Sequence, residues 1–191
     1  MPTHFKALWI EENEDGNFSR SIKEVPIELL PDNDVLISVH YSSLNYKDGL
    51  SASGNKGVSG SYPFIPGVDA AGIVENDDTG TFKPGQKVIV TGYDLGMNTF
   101  GGFGEYIRVP ASWVVPLPDE LSLFESMVFG TAGYTAAYGV RRLQRELITP
   151  DSGPILVTGA TGGVGCMAVY QLAQLGFEVI VATGKLDRKE A

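Results

Sequence analysis

Apolar positions in the first 120 residues come in short runs broken by polar turns. The runs at 5–10, 35–41, 70–74, 87–91, 105–109 and 113–115 are a few residues long and rich in β-branched and aromatic side chains, which predicts strands. Turn sequences such as Leu-Pro-Asp-Asn-Asp at 30–34 and Phe-Lys-Pro-Gly-Gln at 82–86 lie between them. Many short strands joined by Gly- and Pro-containing turns point to a β-barrel or sandwich.

The pattern changes after Pro118. Ser122 with Glu125 three residues on is a capping box, and the segment to about Leu147 carries Ala, Leu, Met and Tyr at helical spacing, interrupted by Gly130 and Gly133. A Ser-Gly-Pro turn at 152–154 follows. The run 155–158 predicts a strand, 163–175 a helix stopped by Gly176, and 178–182 a second strand. This is one strand–helix–strand unit, for which parallel, right-handed pairing is expected. A lone unit of this kind leaves a parallel sheet with two open edges, so a longer chain or another source of strands is expected.

The chain of 191 residues is long enough to bury a core, and its 43% hydrophobic content excludes intrinsic disorder. The net charge of −9, with no dense stripe of Lys and Arg, argues against nucleic acid and against an anionic membrane surface as partners. The N-terminus lacks the pattern of a signal peptide, no run of apolar residues is long enough to span a membrane, and Cys166 is the single cysteine. A soluble, cytoplasmic protein is expected.

The chemistry concentrates in two places. In Val157-Thr-Gly-Ala-Thr-Gly-Gly-Val-Gly165, the glycines 159, 162, 163 and 165 sit between a predicted strand and a predicted helix. Glycines allow a tight turn and close backbone approach, and a helix N-terminus offers free N–H groups and a positive dipole end, so a pyrophosphate is the expected guest. A tight turn without a ligand is the alternative. At the end of the next strand an acidic residue would favour NAD. Here Thr183, Gly184 and Lys185 stand, with Arg188 beyond, which favours a 2′-phosphate and therefore NADPH, although Asp187 argues the other way.

The second place is Ser42-Ser-Leu-Asn45-Tyr46-Lys47-Asp48, which gathers an amide, a phenol, an ammonium and a carboxylate after a strong strand. Such a loop suits orientation of a nicotinamide or donation to a carbonyl as charge builds on it; a polar turn entering a short helix is the plain alternative. With only Cys166, His4 and His40 available, no zinc ligand set is expected, nor a Ser-His-Asp triad or Cys-His dyad. Cys166 reads as a small packed residue and His40 as a strand residue.

Five segments together resemble the zinc-free medium-chain dehydrogenases/reductases, and within them the YhdH/YhfP-type quinone oxidoreductases, which include acrylyl-CoA reductases. They are Ser-Ser-Leu-Asn-Tyr-Lys-Asp (42–48), Tyr-Pro-Phe-Ile-Pro-Gly-Val-Asp-Ala-Ala-Gly (62–72), Gly-Gly-Phe-Gly-Glu-Tyr (101–106), Gly-Thr-Ala-Gly-Tyr-Thr-Ala (130–136) and the glycine turn (157–165). The resemblance implies an α/β protein: a GroES-like β-barrel domain over 1–120, then over 121–191 a connecting helix and the start of a doubly wound Rossmann-type domain. It implies that Tyr46 approaches the nicotinamide, that Asn45 and Lys47 line the reacting end, and that Thr131, Gly133 and Thr135 lie near the nicotinamide. It further implies that Thr161, Gly162, Gly163 and Val164 bind the pyrophosphate and that Thr183, Gly184 and Lys185 hold the 2′-phosphate. Family members run to roughly twice this length in one chain.

The function expected from this is NADPH-dependent, zinc-independent hydride transfer to an activated C=C bond of an enoyl thioester, or to a quinone, by a protein that is a homodimer at full length. A protein that binds NADPH without turnover is the alternative.

Overall fold

The computed structural model describes residues 2–184, and the chain forms two compact units, Met1–Gly130 and Thr131–Ala191. In the first, β1 (His4–Glu12) and β2 (Phe18–Pro26) make an antiparallel hairpin in register His4↔Pro26 to Glu12↔Phe18. The turn between them is closed by Asn13, whose N–H donates to the Asn17 carbonyl and whose Oδ1 accepts the Asn17 N–H. β2 is not among the predicted strands. Only Val25 of its nine residues is buried, so its sequence reads Phe-Ser-Arg-Ser-Ile-Lys with little apolar signal.

A five-stranded antiparallel sheet follows, with β3 (Val35–Tyr41), β4 (Asp69–Asp77), β5 (Lys87–Thr91), β6 (Tyr106–Val109) and β7 (Val114–Pro116) in the order β6-β3-β4-β5-β7. All five match the sequence expectation to within a few residues. β3 is buried on both faces over its first three positions, and each side feeds a different core. Val35 and Ile37 join Val74, Val88, Val90, Leu95, Ile107 and Val109. Leu36 turns the other way to Phe5, Ala7, Trp9, Val25, Ile27, Leu30 and Ile65. Full burial of each such aliphatic side chain favours the fold by about 1.5–3 kcal/mol, so β3 ties the hairpin to the sheet through the hydrophobic effect. Backbone bonds do the same: the Leu8 N–H donates to Phe103, Glu105 to Lys6, and Val39 to Glu105.

The loops above β4 pack backbone on backbone. A Cβ at Gly102 would lie 2.1 Å from the Asp69 carbonyl oxygen, and one at Gly101 2.4 Å from that of Gly67. The segments Pro66–Asp69 and Gly101–Gly102 therefore need glycine to touch at all.

α2 (Leu123–Arg145) opens with the expected capping box. The Ser122 hydroxyl and N–H both donate to Glu125 Oε2, at 2.7 and 2.8 Å, and the Glu125 N–H returns to Ser122 Oγ at 3.1 Å. Gly130, at φ 48° and ψ −156°, breaks the helix, whereas Gly133 is helical.

The second unit contains the strand–helix–strand motif as predicted. β8 (Ile155–Thr158) and β9 (Val179–Ala182) pair in parallel from Ile155↔Val179 to Thr158↔Ala182, with α3 (Gly163–Gln174) between them in sequence. α3 ends as the sequence predicts. Gly176 takes φ 83°, its N–H donates to Ala173, and the Phe177 N–H donates to Leu172, which satisfies two end carbonyls. Val140, Leu172 and Phe177 form the buried centre, with Leu143, Ile148, Ile155, Val157 and Val179 against it. Leu156, Ile180 and Val181 are exposed.

Candidate functional site

In the first unit the polar segment after β3 folds into a fixed loop and a short helix, α1 (Tyr46–Ala52). Ser42 Oγ donates to the Asp69 carbonyl at 2.7 Å. The Asp69 Oδ2 accepts from Ser43 Oγ and, at 2.9 Å, from Asn45 Nδ2. Asn45 Nδ2 also reaches Ser43 Oγ at 3.0 Å. Asp48, the third residue of α1, accepts the Asn45 N–H at 2.7 Å and the Val68 N–H at 2.9 Å. Both carboxylates are buried, Asp48 to 2% exposure and Asp69 to 0%.

Burial pushes the Asp48 carboxyl above the ordinary carboxylate range, with the nearby Asp69 charge adding to the rise and the two N–H donors opposing it. Gly130 closes the network: a Cβ there would stand 2.7 Å from Ser43 Oγ and 2.8 Å from Asp69 Oδ2.

The residues held by this network face solvent. Tyr46 is 84% and Leu44 89% exposed, and Lys47 is exposed as well, while Asn45 is half-buried with its amide committed inward. Asn45, Tyr46 and Lys47 sit at the junction of this loop and α1, with Tyr46 and Lys47 outward. Asp69, Ser43 and Gly130 are members that the sequence reading did not single out. Asp69 had a legible signal, since it is one acid at the head of the apolar run Asp-Ala-Ala-Gly-Ile-Val, and a buried strand seldom starts with an unpaired charge.

In the second unit the turn 159–162 leads into α3. Gly159 takes φ 62°, and a Cβ there would meet nothing within 4 Å. Gly165 sits where a Cβ would lie 2.2 Å from the Gly159 carbonyl oxygen, so the first turn of α3 rests directly on the loop. Gly162 caps α3 with no side-chain bond, and no acidic residue stands in the first turn. Thr161, Gly162, Gly163 and Val164 are all exposed. Thr161 Oγ1 and Thr183 Oγ1 are 3.3 Å apart, so the glycine turn and the end of β9 meet. An uncapped helix end free of carboxylates, with an open glycine face, fits a diphosphate.

Thr131 and Thr135 lie one turn apart on α2, with Thr135 Oγ1 donating to the Thr131 carbonyl at 2.7 Å. Lys185, Asp187 and Arg188 lie outside the described residues. Cys166 departs from expectation: it is exposed rather than packed, with its Sγ directed to the Gly163 carbonyl at 3.2 Å. Among the described residues no three His, Cys, Asp or Glu side chains form a group able to hold a metal ion, and no helix is long and apolar enough to cross a membrane.

Residues 31–119 match the alcohol dehydrogenase GroES-like domain. The chain is 48% identical to the putative quinone oxidoreductase YhfP of Bacillus subtilis, over 98% of this chain and 56% of that protein. It is 43% identical to the acrylyl-CoA reductase AcuI of Ruegeria pomeroyi, over 95% of this chain and 55% of that one. The chain belongs to the medium-chain dehydrogenase/reductase family. Two solved family members superpose closely on it. The YhdH oxidoreductase of Salmonella enterica in complex with NADP gives a TM-score of 0.92 at 41% identity, covering 95% of this chain and 56% of that one. YhfP of B. subtilis with NAD bound gives 0.92 at 46%, covering 97% and 56%. The chain spans about half the length of the curated relatives it matches. The GroES-like match covers the five-stranded sheet of the first unit, and the strand–helix–strand motif is the start of a nucleotide-binding fold.

Proposed function

We propose that the protein is an NADPH-dependent oxidoreductase that reduces an activated C=C bond of an enoyl thioester such as acrylyl-CoA, or a quinone, without zinc. The observation that carries this reading is the uncapped glycine turn of α3, free of first-turn carboxylates and joined to Thr183 at the end of β9. The names of relatives support the choice of substrates, since YhfP is a putative quinone oxidoreductase and AcuI an acrylyl-CoA reductase. The NADP bound to YhdH supports the cofactor, and the NAD bound to YhfP makes NADH the comparison to run beside it.

A bound nicotinamide supplies hydride. This chain's residues bind, orient and stabilise. N–H groups of Gly162, Gly163 and Val164 and the Thr161 hydroxyl hold the diphosphate, and Thr183, Gly184 and Lys185 hold the 2′-phosphate. Thr131 and Thr135 line the nicotinamide end. As the substrate's β-carbon is reduced, negative charge moves to the thioester oxygen. Tyr46 O–H and Lys47 N–H are the donors assigned to it, and Asn45 orients the reacting end. A proton then reaches the α-carbon from solvent or a side chain.

The reading includes a cytoplasmic homodimer, which sedimentation tests separately. The main test is NADPH oxidation on mixing the protein with acrylyl-CoA, crotonyl-CoA or a simple quinone. NADPH binding with no substrate-dependent oxidation would assign the protein to cofactor binding alone.

A further inference from the structure

We propose that Asp48 is a positioning residue, whose buried carboxylate fixes the entry to α1 so that Tyr46 and Lys47 stand at a set place on the surface. The proposal rests on the reading of Tyr46 as a donor at the reacting end.

α1 has seven residues, and a helix this short does not persist in water without tertiary ties. Its outward residues make few contacts of their own, since Tyr46 is 84% exposed. The second half is held by Ser51, which is buried and bonded to Ser59 Oγ at 2.7 Å, and by Tyr62 and Arg20, which donate to the Ser51 and Ala52 carbonyls; the first half is tied by Asp48. One oxygen takes the Asn45 N–H at 2.7 Å, and the other takes the Val68 N–H at 2.9 Å. These two donors belong to different segments, the loop that leaves β3 and the loop that enters β4. Asp48 therefore clamps the start of α1 to the segment bearing Asp69. Asp69 grips the same loop from the other side, through Ser43 Oγ and Asn45 Nδ2. The result is a loop fixed at main chain and side chain, with Leu44 and Tyr46 projecting from it.

A cap alone does not require this arrangement. A hydroxyl at the third helical position makes the same return bond, as Ser152 Oγ does in accepting the Thr149 N–H at 3.0 Å, without placing a charge at 2% exposure beside a second buried carboxylate. What a carboxylate offers and a hydroxyl does not is two acceptor oxygens on a rigid plane, one for each loop. A two-point clamp sets the distance between the loops as well as the helix start.

The test begins with Asp48→Asn, which keeps the shape but has one acceptor and one N–H₂ group for two N–H donors. Turnover of NADPH with acrylyl-CoA is measured for the wild type, Asp48→Asn, Tyr46→Phe and the double variant. The proposal expects Asp48→Asn to lower kcat about ten-fold or more, with the KM for NADPH nearly unchanged. It expects that loss to vanish in the Tyr46→Phe background, because a residue acting through the phenol has nothing to position once the hydroxyl is gone. An equal loss in both backgrounds, or no loss in a folded Asp48→Asn protein, overturns it. If Asp48→Asn does not fold, Asp48→Glu, which keeps the charge and displaces the oxygens, runs the same cycle with the same criteria. If the wild type itself oxidises no NADPH, the functional reading has failed. Fluorine NMR of a 3-fluorotyrosine placed at position 46 then decides the positioning claim alone. A line shifted or split by Asp48→Asn supports it, and an unchanged line overturns it.

Discussion

Gly165→Ala separates the two roles that a glycine plays in a helix. In a plain helix interior, Gly→Ala stabilises by about 1 kcal/mol, because alanine loses less backbone entropy on folding. At Gly165 the added Cβ would lie 2.2 Å from the Gly159 carbonyl oxygen and 2.8 Å from Ala160 Cα. The first distance is about 1 Å inside the closest ordinary C–H···O approach. Both atoms are backbone, so no side chain can swing away and α3 must lift off the turn. Overpacking of this kind costs about 1–3 kcal/mol, which exceeds the helix gain and leaves a net loss of up to about 2 kcal/mol. The same lift moves the α3 N-terminus away from the place proposed for the diphosphate, so NADPH affinity should fall about ten-fold or more, or about 1.4 kcal/mol. Gly139→Ala is the control. It lies in α2, and its Cβ would meet nothing within 4 Å, so the variant should be more stable by about 0.5–1 kcal/mol. Urea unfolding and a fluorescence titration with NADPH measure both effects. If Gly165→Ala is as stable as Gly139→Ala, or binds NADPH as the wild type does, the assignment of this turn is refuted.

Tyr46→Phe should lower kcat by about ten-fold to a thousand-fold with thermal stability unchanged, since the phenol is exposed and the role proposed for it is donation to developing charge; steady-state kinetics beside a melting curve check this. Ser122→Ala removes the hydroxyl from the capping box of α2 and should cost about 1 kcal/mol by urea unfolding. The Ser122 hydroxyl and then the Ser122 N–H hold the Glu125 carboxyl below its ordinary range. A lowered folded value means that this stabilisation is complete above the unfolded value and fades as pH falls through the folded one. Glu125→Gln should therefore be less stable than the wild type near neutrality, and the gap should close on acidification, as melting curves between about pH 3 and 7 would record.

The strand–helix–strand unit was legible because its signals are local. The apolar run at 155–158, the glycine turn and Gly176 as a helix stop each state their conformation within a few residues, and β8, α3 and β9 follow them closely. The same holds for Ser122 and Glu125. β2 was not legible, because it buries Val25 alone and is held by backbone pairing to β1, which leaves no hydrophobic period in its own sequence. The candidate site divides along the same line. Asn45, Tyr46 and Lys47 are contiguous and declare themselves as a polar cluster. Asp69 and Gly130 join that cluster only through folding across 24 and more positions, and nothing local says that Asp69 Oδ2 will receive Ser43 and Asn45. Cys166 shows the converse. Helical periodicity gave it a place on α3, but burial on a two-stranded sheet depends on what lies over the helix, and Cys166 is exposed.

Hydride transfer from a nicotinamide to a substrate carbon, as proposed for this protein, is open to isotope tracing. The protein is mixed with acrylyl-CoA and NADPH carrying deuterium at the transferred position of the nicotinamide, and the thioester product is analysed by mass spectrometry and NMR. NADPH should be consumed in step with product, with one deuterium at the β-carbon of the saturated thioester. NADPH that binds but is not consumed, with acrylyl-CoA and with a quinone alike, would contradict it, as would a reduced thioester that carries no deuterium.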